Sequence, residues 1–327
     1  MSLRTIHPRT ARINRSEQAV PGSNTRFMEN AAKGDADVVF LDLEDAVAVD
    51  DKERARKQVI EALHDLDWSE RSVSVRINGL DTEYMYRDVV DVVEQAGDRL
   101  DLIMIPKVGT AGDVYAIDAL VSGIEAAKRI TKPIGFELII ETALGMQNLH
   151  EIAAASPRIE SLHFGVADYT ASTQARTVSI GGANAEYHVL TDPDEQGERA
   201  VHWGDMWHYA IARIVVAARA NGLRPVDGPF GDISDPAGYD AQARRSAALG
   251  CEGKWVIHPS QMDAAHAIFS PGVEELDRAQ EILDAMTQAQ LEGRGAVSLH
   301  GKMIDLASVR QAENLLNKAA AISAQAS

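Results

Sequence analysis

Short apolar runs recur along the chain, each closed by a polar residue, glycine or proline and then followed by a stretch with helical spacing. In order they cover 17–20, 37–43 (DVVFLDL), 72–77 (SVSVRI), 102–105, 136–140, 161–164, 223–227 and 254–257. They are aliphatic and β-branched, too short for helices and bounded by turn residues, so they read as strands. The intervening segments read as helices. In 52–64, Ala55, Val59, Ala62 and Leu63 fall on one face, and Lys52, Glu53, Arg56 and Lys57 lie largely on the other. Further helices are expected at 88–95, 114–129, 146–155, 206–221 and 240–249. Ser156-Pro157 and Gly222 end two of them. The stretch 174–202 carries no clear period.

Eight strands alternating with helices over about 260 residues is the rhythm of a (β/α)8 TIM barrel. A doubly wound open sheet is the other architecture with this alternation. The count of eight favours the barrel, as does the absence of a GxGxxG turn after the first strand. Charged residues gather at one end of the strands: Glu44, Asp45, Arg76, Lys107, Glu141, Asp168, Asp227 and His258. A barrel brings all of them to one rim, the face where such enzymes keep their sites. The catalytic barrel is expected to fill residues 1–270. Residues 271–327 form a C-terminal helical extension, with a helix at 274–292, a Gly293-Arg294-Gly295 turn and a last helix after Asp305.

Composition narrows the partners. The net charge is −17, from 49 acidic and 32 basic residues, which excludes nucleic acid as a general partner. Cys251 is the only cysteine, so no intramolecular disulfide and no CxxC site is expected. No run reaches the roughly 20 apolar residues that span a bilayer, and the first twenty residues lack the apolar core of a signal peptide. The expectation is a soluble, cytoplasmic protein with no membrane partner.

The strongest chemical signal lies in 135–172. Glu141 and Asp168 each follow a strand, one βα unit apart, and adjacent strands lie about 5 Å from each other. Two hard oxygen ligands with positions left open suit Mg2+. Read singly, each is also an ordinary helix cap. Arg76 ends a strand and offers a planar fork to a carboxylate, phosphate or enolate oxygen; the bland alternative is an ion pair with Glu44 or Asp45. Lys107 reads equally as an ion-pair member, and His258 as a hydrogen-bonded loop residue. His202 and His208 flank Trp203 and Trp207 at no zinc spacing, and fit a packed amphipathic helix. Arg26 and Lys33 could meet a phosphate or simply face solvent.

Several motifs together carry a resemblance: FLDLEDAV (40–47), RINGLDT (76–82), IMIPKV (103–108), IETALGM (140–146), FGVADYTAS (164–172), VDGPFGD (226–232), GKWVIHPSQ (253–261) and the tail motif GKMIDLAS (301–308). The chain resembles the HpcH/HpaI aldolase, citrate lyase β-subunit-like superfamily over nearly its whole length, and within it the branch that acts on malyl-CoA. The resemblance implies a TIM barrel carrying out Mg2+-dependent, reversible Claisen-type cleavage of a 3-hydroxyacyl-CoA, with Mn2+ able to substitute. (S)-Malyl-CoA would give acetyl-CoA and glyoxylate, and β-methylmalyl-CoA would give propionyl-CoA and glyoxylate. The alternatives are a malyl-CoA thioesterase or malate-synthase-like hydrolase, a citramalyl-CoA lyase, and a non-catalytic acyl-CoA-binding subunit. The resemblance puts the metal on Glu141 and Asp168 and the catalytic arginine on Arg76. Substrate contacts fall on Arg76, Ala167, Asp168, Ile257 and His258. The acid/base aspartate falls on Asp305, supplied by the tail of a neighbouring subunit in a homo-oligomer, a trimer or hexamer. Coenzyme A contacts fall on Asn24, Arg26 and Asn30. Here the chain departs from some relatives, which carry an aromatic and two basic residues where it has Ala19, Asn24 and Asn30.

Overall fold

The computed structural model describes residues 10–177 and 179–325. The first nine residues of the amino-terminal stretch and Val178 of the aperiodic stretch lie outside the described residues. Eight parallel strands close a barrel: β1 (Ser16–Pro21), β2 (Val38–Asp42), β3 (Ser72–Arg76), β4 (Leu102–Ile105), β5 (Gly135–Ile140), β6 (Ile159–Phe164), β7 (Arg224–Asp227) and β8 (Gly253–Val256). Each strand pairs with its neighbours in sequence, and β1 pairs with both β2 and β8. Parallel neighbours cannot be joined by tight turns. Helices therefore make the crossings: α1 (Thr25–Ala32), α2 (Lys52–Asp65), α3 (Met85–Ala96), α4 (Ala111–Lys128), α5 (Ala143–Gln147), α6 (Leu149–Ala153), α7 (Val166–Thr173), α8 (His208–Ala220) and α9 (Pro236–Leu249).

Three differences from the sequence reading have local causes. The helix expected at 146–155 is two short helices, α5 and α6, meeting at Asn148. Helix α1 was not expected. It is short, and its signal is a cap, the Asn24 side chain accepting from the Phe27 N–H at 3.1 Å. The aperiodic 174–202 stretch contains all but the last residue of a small antiparallel hairpin, His188–Leu190 paired with Val201–Trp203. That hairpin also separates the two tryptophans: Trp203 is exposed on it, whereas Trp207 is buried and donates to the Gly182 carbonyl at 2.9 Å.

Strand alternation stacks the barrel interior in layers. Along β5, Glu137, Ile139 and Glu141 share one face; along β2 and its end, Phe40, Asp42 and Glu44 do; along β3, Ser74 and Arg76 do. The middle layer is apolar, with Phe40, Met104, Ile139, Val226 and Trp255 packed together and Ala19 against them. Fully burying a side chain such as Phe40 stabilises by about 1.5–3 kcal/mol. A polar layer lies on each side of it. The strand carboxyl ends hold Asp42, Arg76 and Glu141; the opposite side holds Glu17, Ser74 and Glu137, all fully buried.

The chain divides into two compact units between Ala265 and His266, within α10 (Met262–Phe269). In the second unit, α11 (Val273–Leu291) and α12 (Leu306–Gln325) pack on each other. Between them runs an antiparallel hairpin, Val297–Leu299 with Lys302–Ile304. Its two turn residues, His300 and Gly301, both have positive φ, which suits a two-residue hairpin turn.

Candidate active site

Parallel register assembles the rim. Asp42 at the end of β2 lies directly beside Arg76 at the end of β3. The Arg76 guanidinium forks onto Asp42, Nε donating to Oδ1 at 2.7 Å and Nη2 to Oδ2 at 2.6 Å. Its Nη1 lies 3.1 Å from Glu44 Oε2. The guanidinium also rests on the apolar layer, 5.5 Å from the Phe40 ring and 5.7 Å from the Trp255 ring. Asp42 accepts in addition from the N–H groups of Glu44 at 2.8 Å and Ala46 at 3.0 Å. Burial pushes the Asp42 carboxyl up, but Arg76 and these bonds outweigh it and hold it below the ordinary range. Removing one member of such a buried pair costs about 3–5 kcal/mol.

Glu141 follows β5. The Ile140–Phe164 register sets it beside Gly165, where a Cβ would lie 2.2 Å from Glu141 Oε2. That glycine is therefore space for the carboxylate. Asp168 stands in the first turn of α7, which starts after Gly165, and is about one third exposed. The Glu141 carboxyl accepts the Lys107 N–H at 2.7 Å. Burial raises its pKa to about 8, and the nearby Glu44 and Asp168 push the same way. The Lys107 ammonium donates to Glu44 Oε1 at 2.5 Å and lies 3.9 Å from Asp168. Burial would lower the Lys107 pKa, but Glu44, Asp45 and Asp168 raise it above the ordinary value.

These groups face a cavity of about 400 Å³, lined by Ala19, Phe40, Arg76, Glu141, Asp168 and Ile257 among others. Larger hollows of about 910 and 800 Å³ lie elsewhere, one of them between α2 and α3, but neither contains the carboxylate pair. At the rim five close carboxylates, Asp42, Glu44, Asp45, Glu141 and Asp168, face two cations, Arg76 and Lys107. The surplus of acids over cations, the hard oxygen donors and the crowding of Glu141 by Glu44 and Asp168 together fit a divalent cation of the Mg2+ type.

Of the residues singled out from sequence, Arg76, Glu141, Ala167, Asp168 and Ile257 line this cavity. His258 does not. It is exposed, and its Nδ1 is bound to Ser260 Oγ at 2.8 Å and to the Ser260 N–H at 3.2 Å. Asn24 caps α1, while Arg26 and Asn30 are exposed on that helix, which follows β1 at the same end of the barrel. Asp305 belongs to the second unit and caps α12, its Oδ1 accepting from the N–H groups of Ala307 at 2.9 Å and Ser308 at 3.2 Å. Those bonds hold its pKa below the ordinary value. Sequence reasoning missed Asp42, although its place two residues before Glu44 on an alternating strand puts both on one face.

It also missed the buried group Glu17, Glu137 and His163, whose ligand atoms lie within 4.8 Å of one another. Of the three, only Glu137 carries a signal in the sequence, a charged residue inside the otherwise apolar strand GFELII. Here Trp255 Nε1–H donates to His163 Nδ1 at 2.9 Å. Trp is only a donor, so the ring hydrogen is on Nε2, pointing toward Ser161 Oγ at 2.8 Å. No lone pair remains there for a metal. Burial and the neighbouring Glu137 instead push the Glu17 carboxyl well above its ordinary value, which keeps a proton on the pair.

The HpcH/HpaI aldolase/citrate lyase family model matches residues 19–259. The chain is 53% identical over 324 residues to a Cereibacter sphaeroides protein named L-malyl-CoA/β-methylmalyl-CoA lyase, covering 99% of this chain and all of that one. It is 42% identical over 284 residues to the malyl-CoA/β-methylmalyl-CoA/citramalyl-CoA lyase of Chloroflexus aurantiacus, over 86% and 80% of the two chains. Among solved structures, the CitE protein of Mycobacterium tuberculosis in complex with magnesium, acetoacetate and coenzyme A has a TM-score of 0.71 at 28% identity, over 93% of this chain and 97% of that one. The chain belongs to the HpcH/HpaI aldolase/citrate lyase family.

Proposed function

We propose that this protein is a carbon–carbon lyase that cleaves malyl-CoA to acetyl-CoA and glyoxylate, reversibly, and β-methylmalyl-CoA to propionyl-CoA and glyoxylate. One observation carries this reading: a rim cavity joins the Glu141–Asp168 pair to the Arg76 guanidinium. Full-length similarity to lyases of that name supports it. Mg2+ held by Glu141 and Asp168, or Mn2+ in its place, would supply Lewis acidity toward the carboxylate and adjacent oxygen of the oxo acid.

The chain's own residues do the rest. Two of the five Arg76 donors are fixed on Asp42, which holds the plane of the guanidinium. Nη1 also faces Glu44, and the Arg76 donors beyond these contacts stabilise the thioester enolate oxygen, where charge develops in the transition state. Asp305, reaching the rim from a neighbouring subunit's residue 271–327 extension, gives a proton to the enolate carbon in cleavage and removes one from the acyl-CoA methyl or methylene in condensation. That arrangement requires a homo-oligomer, a trimer or hexamer. Coenzyme A lies along α1, over Asn24, Arg26 and Asn30, and His258 adds a contact once the acyl group is seated. A single buried cysteine and a coenzyme A substrate suit the reducing cytoplasm.

The test is product analysis with the purified chain, Mg2+ and the three thioesters malyl-, β-methylmalyl- and citramalyl-CoA. Glyoxylate and acetyl-CoA from malyl-CoA are expected; malate and free coenzyme A would make it a thioesterase. The trans contribution has its own test. Asp305→Ala should assemble normally and be nearly inactive. Subunit exchange with Arg76→Ala should restore part of the activity, because mixed oligomers contain sites with both groups. No recovery in verified mixed oligomers would refute completion in trans.

A further inference from the structure

Lys107 has a left-handed backbone, with φ of 53°. That region is unusual for a residue with a Cβ, and such residues concentrate where function requires them. Three other non-glycine residues among those described share it: Arg129, Gln174 and His300. Arg129 ends α4 and Gln174 ends α7, places where left-handed caps are common, and His300 sits in a hairpin turn. Lys107 ends no helix. It follows Pro106, just beyond β4, with two residues, Val108 and Gly109, still to go before the Thr110 cap of α4. Its turn therefore has no cap to explain it.

What the turn does is aim an N–H across the rim. The Lys107 N–H reaches Glu141 Oε1 at 2.7 Å. The other carboxylate oxygen lies against Gly165, at the start of the helix that carries Asp168. The Glu141 carboxylate is thus held from one side by a backbone donor and given room on the other by a missing Cβ. The Lys107 side chain serves a different contact, with Glu44 at 2.5 Å.

We propose that Lys107 is a positioning residue whose left-handed backbone N–H fixes the rotation of the Glu141 carboxylate, and so sets the affinity of the Glu141–Asp168 pair for a divalent cation. This rests on the metal reading above. It assigns the effect to the backbone at Lys107 and not to the ammonium group. Groups that orient metal ligands typically change metal affinity 10- to 100-fold when lost.

The experiment measures Mn2+ dissociation constants of the full-length protein by electron paramagnetic resonance, with thermal midpoints recorded alongside. Lys107→Asn keeps a side chain that tolerates positive φ, and should bind Mn2+ within about threefold of the unaltered protein. Lys107→Val, β-branched and excluded from that region, should bind about 10- to 100-fold more weakly. Lys107→Ala covers the case in which the valine variant does not fold, and should bind more weakly than the asparagine variant. Glu141→Gln is the control and should lose the Mn2+ site. Equal affinities for the Val, Ala and Asn variants, with Glu141→Gln defective, would overturn the inference while leaving the metal site standing. So would an equal loss in all three, which would assign the effect to the ammonium. Unchanged binding by Glu141→Gln would overturn the metal reading itself, and this inference with it.

Discussion

One barrel holds two groups of close carboxylates, separated by a single apolar layer. At the rim, Asp42, Asp45, Glu141 and Asp168 surround a cavity; on the other side of Phe40, Ile139 and Trp255, Glu17 and Glu137 are sealed in with His163. Both groups pair acids at close range, and in both a carboxyl is pushed up. They differ in how the charge is resolved. The rim offers open space, and there Glu141 is crowded by Glu44 and Asp168, an arrangement suited to an entering cation. The interior has no opening and a histidine whose hydrogen points at its neighbours, so it keeps a proton instead. Acid clustering alone does not define a metal site; access and available lone pairs do.

The largest effect expected from that contrast is on metal binding. Asp168→Ala should abolish both divalent-metal binding and activity with the fold intact, whereas Glu137→Gln should leave Mn2+ affinity unchanged. Calorimetric titration of the two variants decides the point, and metal loss in Glu137→Gln alone would reverse the assignment. The next effect concerns the arginine that links the rim to the apolar layer. Arg76→Lys keeps the charge and loses the fork to Asp42. A fall in kcat of at least about 100-fold is expected, the scale of one lost transition-state donor. A variant with only a raised KM would make Arg76 a binding group and no more.

The smallest effect sharpens the interior half of the comparison. Glu17 has a folded-state pKa above its unfolded one, so it binds more protons when folded. Its contribution to stability is complete below the ordinary carboxylate pKa and is lost as pH rises toward the folded-state value. Glu17→Gln replaces the acid with a neutral group of similar size. Its thermal midpoint should therefore decline less than that of the unaltered protein from mildly acidic to alkaline pH. Parallel midpoint-against-pH curves for the two proteins would show that Glu17 is not held protonated.

The eight apolar runs determined the barrel, because parallel strands buried on both faces must be continuous apolar segments and helices must join them. The same runs put Glu44, Arg76, Lys107, Glu141 and Asp168 at strand ends, and one hand of winding brings all strand ends to one rim. Short features such as α1 and the 188–203 hairpin escaped notice, since a few residues carry too little periodicity to read. What the sequence could not determine were contacts fixed by register and close approach. Asp42 claims the fork of Arg76 because β2 and β3 pair them. Gly165 makes room for Glu141 because β5 and β6 are adjacent. Lys107 turns left-handed to reach the same carboxylate across the strand ends. Each depends on a partner dozens of positions away or across a strand boundary, and a linear pattern records which face a residue takes but not which atom it meets there.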